Sequence, residues 1–445
     1  KNRFYFTGLK KYQINYAVKA NGKVVRKGKT FLDIEPQGSQ ELNVNVTGLQ
    51  PKAGTEYFVN FWVTTTEPEI LIPVGHEIAS EQFRLPIEPL TVAKHKASGK
   101  TNVTTEGDEV KVTSPRMQFV FNKKSGLVTS YKVNGTEYFS EGFGIQPNFW
   151  RGPNDNDYGN GQPKREQIWK QSSKNFKVAD VITEADGNNT VLTANYLLAA
   201  GNLYIVKYTI YPDGVVHADI TFTSTDMEEG KTEVSEATLM ATFSPGQEEA
   251  RRAASKLVVP RIGVRFRLPA DMNQVEYFGR GPGENYVDRQ AGSFVDLYRT
   301  TADAMYTNNY VRPQENGHRT DTRWVTLSRK NGKGLKIVAD QTIGFNALRN
   351  SVEDFDSEET INRPRQWNNF TPEEITNRTE EKAKNVLRRM THVNDITPRN
   401  FVEVCIDMKQ QGVAGFDSWG DRPLPEHSLP ANQEYHWGFT LIPMK

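Results

Sequence analysis

The stretch LYIVKYTIYPDGVVHADITFTST, residues 203–225, decides how this chain is expected to fold. Apolar and polar residues alternate on both sides of YPDG, whose Pro, Asp and Gly are typical of turns, and this pattern predicts strands. Similar runs, separated by Gly, Asn, Asp and Pro, are DEVKVTSPRMQFVFN (108–122), RWVTLSRKNGKGLKIVAD (323–340) and EYHWGFTLIPM (434–444). Their spacing predicts a large all-β domain of roughly 350 residues.

A second, smaller β domain is predicted ahead of it. The runs YQINYAVKANGKVVRKG (12–28), ELNVNV (41–46) and EYFVNFWVTTT (56–66) alternate with period two and are separated by turn residues. Residues 1–88 therefore read as an antiparallel β-sandwich of about seven strands. The Pro-, Lys- and Thr-rich stretch after Arg84 predicts a linker that ends near Lys100.

Helical sequence is rare in this chain. Only TPEEITNRTEEKAKNVLRRM, residues 371–390, predicts a long helix, because Thr371 followed by Pro372 is typical of a helix start. One helix on a β background excludes a repeating βαβ architecture.

The bulk composition excludes some classes of partner. The 445 residues carry 55 Lys plus Arg against 54 Asp plus Glu, so no electrostatic footprint for nucleic acid or an anionic membrane is expected. No apolar run approaches the roughly 20 residues of a membrane span, and the opening sequence has no signal-peptide apolar core. A soluble protein is expected, in the cytoplasm or the periplasm. The strand-like start at Lys1 suggests a piece of a longer protein.

Residue types that support catalysis or metal binding form few recognisable patterns. The single Cys405, among alternating apolar residues, reads as a buried inert thiol. His318 lies near Glu315 and Asp321, which suits either a general acid/base or a structural ionic network. The seven His residues show no spacing typical of a transition-metal site.

The loop FWRGPNDNDYGNG, residues 149–161, is a candidate for ligand contact. Its Arg and Asn/Asp side chains could hydrogen-bond sugar hydroxyls or coordinate Ca²⁺, and the alternative is a loop that satisfies its own hydrogen bonds through Asx turns. The candidate residues are Arg151, Asn154, Asp155, Asn156 and Asp157.

A tryptophan stands in an unusual place near the carboxyl end. The stretch QQGVAGFDSWGDRPLPEH, residues 410–427, sets Trp419 among Gly, Asp, Ser and Pro. A large rigid ring in such a loop can present a flat apolar face, and sugars pack C–H groups on such faces. The alternative is an indole that covers the edge of a sheet.

Four stretches together resemble the carboxyl-terminal part of a glycoside hydrolase family 2 β-galactosidase. They occur in the family's order: FWRGPNDNDYGN (149–160), YFGRGPGENYVDRQAG (277–292), MYTNNYVRPQENGHRTDTRW (305–324) and QGVAGFDSWG (411–420). The front segment, with DIEPQGSQELNV (33–44) and GHEIASEQF (75–83), resembles the immunoglobulin-like domain that precedes them. The resemblance implies an immunoglobulin-like β-sandwich over residues 1–88. It implies a "small-chain" β-supersandwich, related in fold to galactose mutarotase, over residues 97–443.

The resemblance also implies a division of labour. The family's enzymes hydrolyse terminal β-D-galactosyl residues with two Glu residues of a TIM barrel. Neither that barrel nor the family's jelly-roll domain and first immunoglobulin-like domain corresponds to any part of this chain. No catalytic residue, and no cofactor, is therefore expected here, and the Mg and Na that the family often uses belong to those other domains. The Trp of the family's DSW motif is a sugar platform at the barrel's mouth, which assigns substrate binding to Trp419 and Asp417. Phe416 stands where the family usually has a polar residue.

The expected partners follow from this assignment. They are a β-galactoside substrate, the amino-terminal and TIM-barrel domains of the same protein and, since the family often forms dimers or tetramers, further copies of the chain. The rival reading is a free-standing carbohydrate-binding module, because exposed aromatic residues on a β-sandwich also suit lectin-like binding.

Overall fold

A computed structural model describes residues 1–226, 234–356, 392–417 and 420–445. The chain forms two compact units, residues 1–95 with 294–297, and residues 96–293 with 298–445. The described residues contain 21 strands and six short α-helices, and the all-β prediction is confirmed. The helix predicted over residues 371–390 lies outside the described residues. Among those that are described, no helix has the length and apolar character needed to cross a membrane.

The first unit contains one antiparallel sheet in the order β2-β1-β3-β4. Its strands are β1 (Tyr12–Ala20), β2 (Lys23–Thr30), β3 (Tyr57–Thr65) and β4 (Glu77–Arg84). Asn21 and Gly22, both at positive φ, form the two-residue turn between β1 and β2, as the NG sequence predicts. The unit has four strands rather than about seven. In ELNVNV, the apolar residues are half-buried and the polar ones exposed, but the segment has no ladder partner and so forms no strand.

The second unit begins with a five-stranded antiparallel meander, in the order β5-β6-β7-β8-β9. The strands are β5 (Asn102–Glu106), β6 (Glu109–Thr113), β7 (Met117–Asn122), β8 (Leu127–Val133) and β9 (Thr136–Glu137). Phe119 and Phe121 of β7 are fully buried because their alternate positions share one face of the sheet. Phe119 packs against Tyr208 of the next sheet, with ring centroids 5.5 Å apart.

A twelve-stranded sheet forms most of the second unit, along the path β10-β15-β20-β19-β21-β14-β13-β12-β11; β16 pairs with β17 and β18, and β18 pairs with β19. The strands are β10 (Gln146–Asn148), β11 (Lys177–Asp186), β12 (Asn189–Leu197), β13 (Leu203–Ile210), β14 (Val216–Phe222), β15 (Arg261–Pro269), β16 (Gln274–Gly281), β17 (Phe294–Thr301), β18 (Arg319–Ser328), β19 (Gly334–Leu348), β20 (Phe401–Gln410) and β21 (Tyr435–Met444). The hairpin of β13 and β14 is the stretch quoted first, with Tyr204 opposite Phe222.

Short helices lie between these strands. They are α1 (Asp155–Gly159), α2 (Gln162–Arg165), α3 (Gln167–Lys174), α4 (Glu236–Thr242), α5 (Pro245–Ala254) and α6 (Ala302–Met305). The aromatic rings of Phe149, Trp169 and Tyr204 meet beneath α3, where Phe149 and Tyr204 pack edge to face at 5.0 Å. Cys405 of β20 is buried, and burial raises the pKa of its thiol, as expected of an inert cysteine.

Candidate functional site

The loop that follows β10 turns directly into α1, and its own side chains hold the turn. Asn154 caps the helix by accepting from the Asp157 N–H at 2.8 Å, while the Asp157 carboxylate accepts from the Asn154 N–H at 3.1 Å. This reciprocal pair is a capping box, which the N-x-x-D spacing allows. Asn154 and Asp157 are both buried.

Arg151 connects this loop to a segment about 260 residues further along the chain. Its side chain is fully buried, and its Nε and Nη2 donate to the two oxygens of Asp157 at 3.2 and 3.0 Å. Its Nη1 and Nη2 also donate to the carbonyls of Gln411 and Gly412, at 2.8 and 2.9 Å. Five donors in a planar fork allow one guanidinium to serve a carboxylate and two carbonyls together.

Two further side chains hold the same segment. The Asp288 carboxylate accepts from the backbone N–H groups of Val413 and Ala414, at 2.9 and 2.8 Å. The Asn156 amide donates to the carbonyl of Val413 at 2.8 Å. We call these contacts the 411–414 clamp: the side chains of Arg151, Asn156 and Asp288 bound to the backbone of residues 411–414. The clamp supports a backbone that no strand pairing holds, including Ala414 at a φ of 56°.

The clamp lies immediately before the DSW sequence. Phe416 and Asp417 are exposed, and Asp417 accepts from the Asp421 N–H at 3.2 Å. Gly420 packs so closely on α1 that a Cβ there would lie 2.3 Å from the carbonyl carbon of Gly159. Ser418 and Trp419, the residue on which the predicted platform depends, lie outside the described residues.

The structure thus brings the two predicted segments together, although their residues play different parts. Arg151, Asn154 and Asp157 are buried and bonded within the protein, as the alternative of a self-satisfied loop describes. Asp155 is half-exposed and pairs with Arg312 at 2.8 Å. Contact of this loop with a sugar stays a prediction. Among the described residues, no group of three or more His, Cys, Asp and Glu side chains is placed to hold a metal ion.

A buried ionic network lies beneath the clamp. Arg261 donates to Glu315 at 2.6 Å and to Asp407 at 3.1 Å, and the Gln410 amide donates to both carboxylates. Burial raises the pKa of Asp407 to about 7, against the opposing effect of the Arg261 charge. These groups are almost inaccessible to solvent and are partners of one another.

His318 belongs to this network rather than to a reactive surface. It is buried, stacks on Tyr286 with ring centroids 5.5 Å apart, and lies 3.1 Å from the Gln410 amide nitrogen. Burial, and next the positive charge of Arg261, hold the pKa of His318 well below its usual value. A neutral imidazole at this depth is a structural element of the network, which was the second of the two readings of its sequence context.

One carboxyl group beside the clamp is poorly compensated. Glu166, between α2 and α3, is buried, and burial raises its pKa to about 7, although the adjacent Arg165 favours the charged form. Arg165 Nε donates to one of its oxygens at 3.2 Å, and the other oxygen has no hydrogen-bond partner among the described residues. A buried carboxylate with one unpaired oxygen is costly at neutral pH.

Sequence analysis did not identify Asp288 or Gln410. Asp288 lies in the second family-like stretch, where its sequence context is that of a turn, and its partners are about 125 residues away. No local pattern marks an acceptor for distant backbone amides, and so a single sequence gives no signal for it.

Comparison with known proteins places these residues in a family. The family model described as "Beta galactosidase small chain" matches residues 113–441, and the one described as "Beta-galactosidase, domain 4" matches residues 1–86. A beta-galactosidase of Priestia megaterium is 28% identical over 446 residues, which cover 100% of this chain and 37% of that protein. A beta-galactosidase of Halalkalibacterium halodurans is 24% identical and is covered to 38% of its length. The chain therefore spans little more than a third of these relatives.

Solved structures add a weak likeness. A galactose mutarotase related enzyme from Lactobacillus acidophilus aligns with 76% of this chain and 97% of its own, at 9% identity and a TM-score of 0.34. The small-chain family model covers about three quarters of the residues, and the chain belongs to the beta-galactosidase small chain family.

Proposed function

We propose that this chain is the non-catalytic carboxyl-terminal portion of a β-galactosidase that hydrolyses terminal β-D-galactosyl residues with retention. In this proposal it supports a TIM barrel carried by another part of the same protein. Its loop at residues 415–420 presents Trp419 to the barrel's pocket as an apolar platform for the sugar, and Asp417 lies at the edge of that platform.

The arrangement of the acidic residues supports a non-catalytic role. Retaining hydrolysis needs two carboxyl groups roughly 5–5.5 Å apart that both reach the substrate. Within the described ranges, Glu315 and Asp407 share the single cation Arg261, but both are buried and bonded to protein groups. Carboxylates engaged in this way can reach neither a glycosidic oxygen nor an anomeric carbon.

The 411–414 clamp is the observation that carries the platform proposal. Five backbone groups in four consecutive residues are bound by side chains from two other segments. A binding residue contributes most when the backbone that carries it is fixed before the ligand arrives, because little conformational entropy is then lost on binding. The clamp supplies that fixed backbone directly before the DSW sequence.

The test is turnover of nitrophenyl β-galactoside by the purified 445-residue chain, alone and mixed with a separately expressed amino-terminal part that carries the barrel. We expect no turnover by either part and activity in the mixture. Turnover by the chain alone, at rates approaching those of a full-length relative, would refute the proposal. Sustained inactivity of a mixture that forms a stable complex would contradict it as well.

A further inference from the structure

The first unit exposes large apolar side chains at one end of its sheet. Among the described residues, the three most exposed large apolar side chains are Phe6, Ile70 and Leu71, at 96%, 92% and 97%, and Tyr5 beside Phe6 is 76% exposed. We call Tyr5, Phe6, Ile70 and Leu71 the end patch. Single exposed apolar residues are ordinary on a protein surface, but a group of this size at one place marks an interaction site.

The strand register brings the two halves of the end patch to the same end of the sheet. β1 begins at Tyr12, which lies opposite Thr65, where β3 ends. The segment before β1 therefore adjoins the segment after β3. Two contacts join these segments: the Thr66 hydroxyl donates to the carbonyl of Lys11 at 2.7 Å, and the Lys11 ammonium pairs with Glu69.

Ile70 and Leu71 form the two central positions of a tight turn. Glu69 and Ile72 are joined by two backbone hydrogen bonds, at 3.0 and 3.1 Å, on either side of them. Leu71 has a φ of 66°, in the left-handed region that glycine and asparagine adopt most easily. Turn positions usually carry small or polar residues. A leucine here costs both backbone strain and exposed apolar surface, and neither cost is offset by burial within the chain.

The other half of the end patch is anchored at both sides. Asn2 is almost fully buried, and its side-chain amide donates to the carbonyl of Thr7 at 2.8 Å. Its side-chain oxygen accepts from the N–H of Phe4 at 3.0 Å. Tyr5 and Phe6 lie between these anchored points, with their ring centroids 6.3 Å apart. An apolar surface that is fixed in this way loses little conformational entropy when a partner covers it.

The size of the end patch favours one kind of occupant. At roughly 150 Å² for each large side chain, the four residues present on the order of 600 Å². A stable contact between separate chains takes about 800 Å² from each partner, so the end patch alone falls short of a dimer interface. A part of the same polypeptide needs less area, because the covalent linkage holds it at an effective concentration of about 1 mM.

The relatives indicate which part of the polypeptide lies nearby. The domain 4 family model matches residues 1–86, and the chain covers little more than a third of the relatives' length. In the full-length protein of the proposed function, the part that carries the barrel joins this chain at Lys1, just ahead of Tyr5. That part is therefore tethered beside the end patch.

We propose that the end patch is the surface on which the amino-terminal part of the same polypeptide docks, through an apolar face of that part. This inference rests on the proposed function, which supplies the docking part, and adds to it the residues that form the contact. It does not involve the loop at residues 415–420.

The first test is calorimetric titration of the 445-residue chain with the separately expressed amino-terminal part. Leu71→Gly removes an exposed side chain from a position that glycine adopts without strain, so its thermal midpoint should equal or exceed that of the parent. Its Kd for the amino-terminal part should nevertheless rise by about tenfold or more, and that of Phe6→Ala likewise. Val24→Ala is the matched control, because Val24 is 56% exposed near the opposite end of the same sheet. It should bind as the parent does.

The second test uses the full-length protein. The backbone amides of Ile70 and Leu71 should exchange hydrogen about tenfold more slowly there than in the 445-residue chain, because the docked part covers the turn. Exchange at the same rate in both proteins would overturn the proposal.

The remaining outcomes separate this inference from the proposed function. An active mixture in which both patch variants bind within about twofold of the parent would overturn the docking surface and leave the proposed function standing. A complex that depends on Leu71 but turns over no substrate would support the docking surface and contradict the proposed function. A dimer of the 445-residue chain that Leu71→Gly dissociates, with unchanged binding of the amino-terminal part, would assign the end patch to a second copy. A loss of binding in Val24→Ala equal to that in the patch variants would also overturn the proposal.

Discussion

Replacing Asp288 by Asn tests whether the 411–414 clamp fixes the loop. The carboxylate offers one oxygen to each of two backbone amides, those of Val413 and Ala414, at 2.9 and 2.8 Å. An Asn side chain has a single acceptor oxygen, and its NH₂ group would face the second amide, donor against donor. The substitution changes few atoms and leaves the other contacts of the clamp in place.

The expected magnitude follows from these two bonds. A hydrogen bond to a charged group contributes about 1.5–3 kcal/mol. One bond is lost and the other loses its charge, but Asp288 is partly exposed, which reduces the cost to about 2 kcal/mol. That free energy corresponds to roughly a 30-fold change in the equilibrium for local opening of the loop.

Hydrogen exchange of individual amides measures this equilibrium directly. We expect the Val413 and Ala414 amides of Asp288→Asn to exchange about 30-fold faster than in the parent chain, with little change in the strands. Asp155→Asn is the matched control, because Asp155 is a half-exposed carboxylate close to the clamp whose ion pair is with Arg312. If both amides exchange within about threefold of the parent rate, Asp288 does not hold the loop and the reasoning is wrong.

Three other perturbations test the surroundings of the clamp. Arg151→Met leaves the buried Asp157 without its cation and should lower the free energy of unfolding, measured in urea, by about 3–5 kcal/mol. The control, Arg252→Met, removes an exposed ion pair and should change the free energy of unfolding by less than about 1 kcal/mol. Similar losses in both variants would contradict the role of Arg151. Glu166 has a pKa of about 7 in the folded chain and 4.5 in the unfolded chain. Its contribution to the stability of the folded chain is therefore fully present below pH 4.5 and is lost as the pH rises through 7. Glu166→Gln should therefore be more stable than the parent at pH 8 by about 1–3 kcal/mol and nearly equal to it at pH 4.5, and a gain that does not vary with pH would exclude this explanation. In a full-length enzyme, Trp419→Ala should raise KM for lactose by roughly 10–200-fold with kcat largely kept, and an unchanged KM would count against the platform.

The alternation of apolar and polar residues predicted those strands whose pairing depends only on neighbouring residues in the sequence. Alternation around YPDG placed β13 and β14, since each residue of a strand faces the side opposite to its neighbour and the turn residues fix the hairpin. The same alternation in residues 41–46 predicted a strand that the structure does not contain. A strand also needs a partner edge, which depends on residues elsewhere in the chain.

The candidate site shows the same limit. The family-like motifs directed attention to residues 149–160 and 411–420, which the structure brings together, but they did not indicate how. Arg151 was one of the candidates for ligand contact, and the structure shows it buried against carbonyl groups of the second segment. The contacts that hold residues 411–414 span between about 125 and 260 residues, and no spacing rule in a single sequence reports such contacts.

The clamp divides one short loop into two zones with different tolerance to change. Residues 411–414 are bound through their backbone, so side chains at those positions contribute little to the anchoring. Beyond them, Phe416 is 58% exposed, and a different side chain there would not disturb the anchor. The loop resembles the variable loops of binding proteins, in which a rigid framework carries exchangeable contact residues. If the loop at residues 415–420 is the proposed sugar platform, position 416 is the place to diversify when the sugar preference of the full-length protein is to be changed by directed evolution.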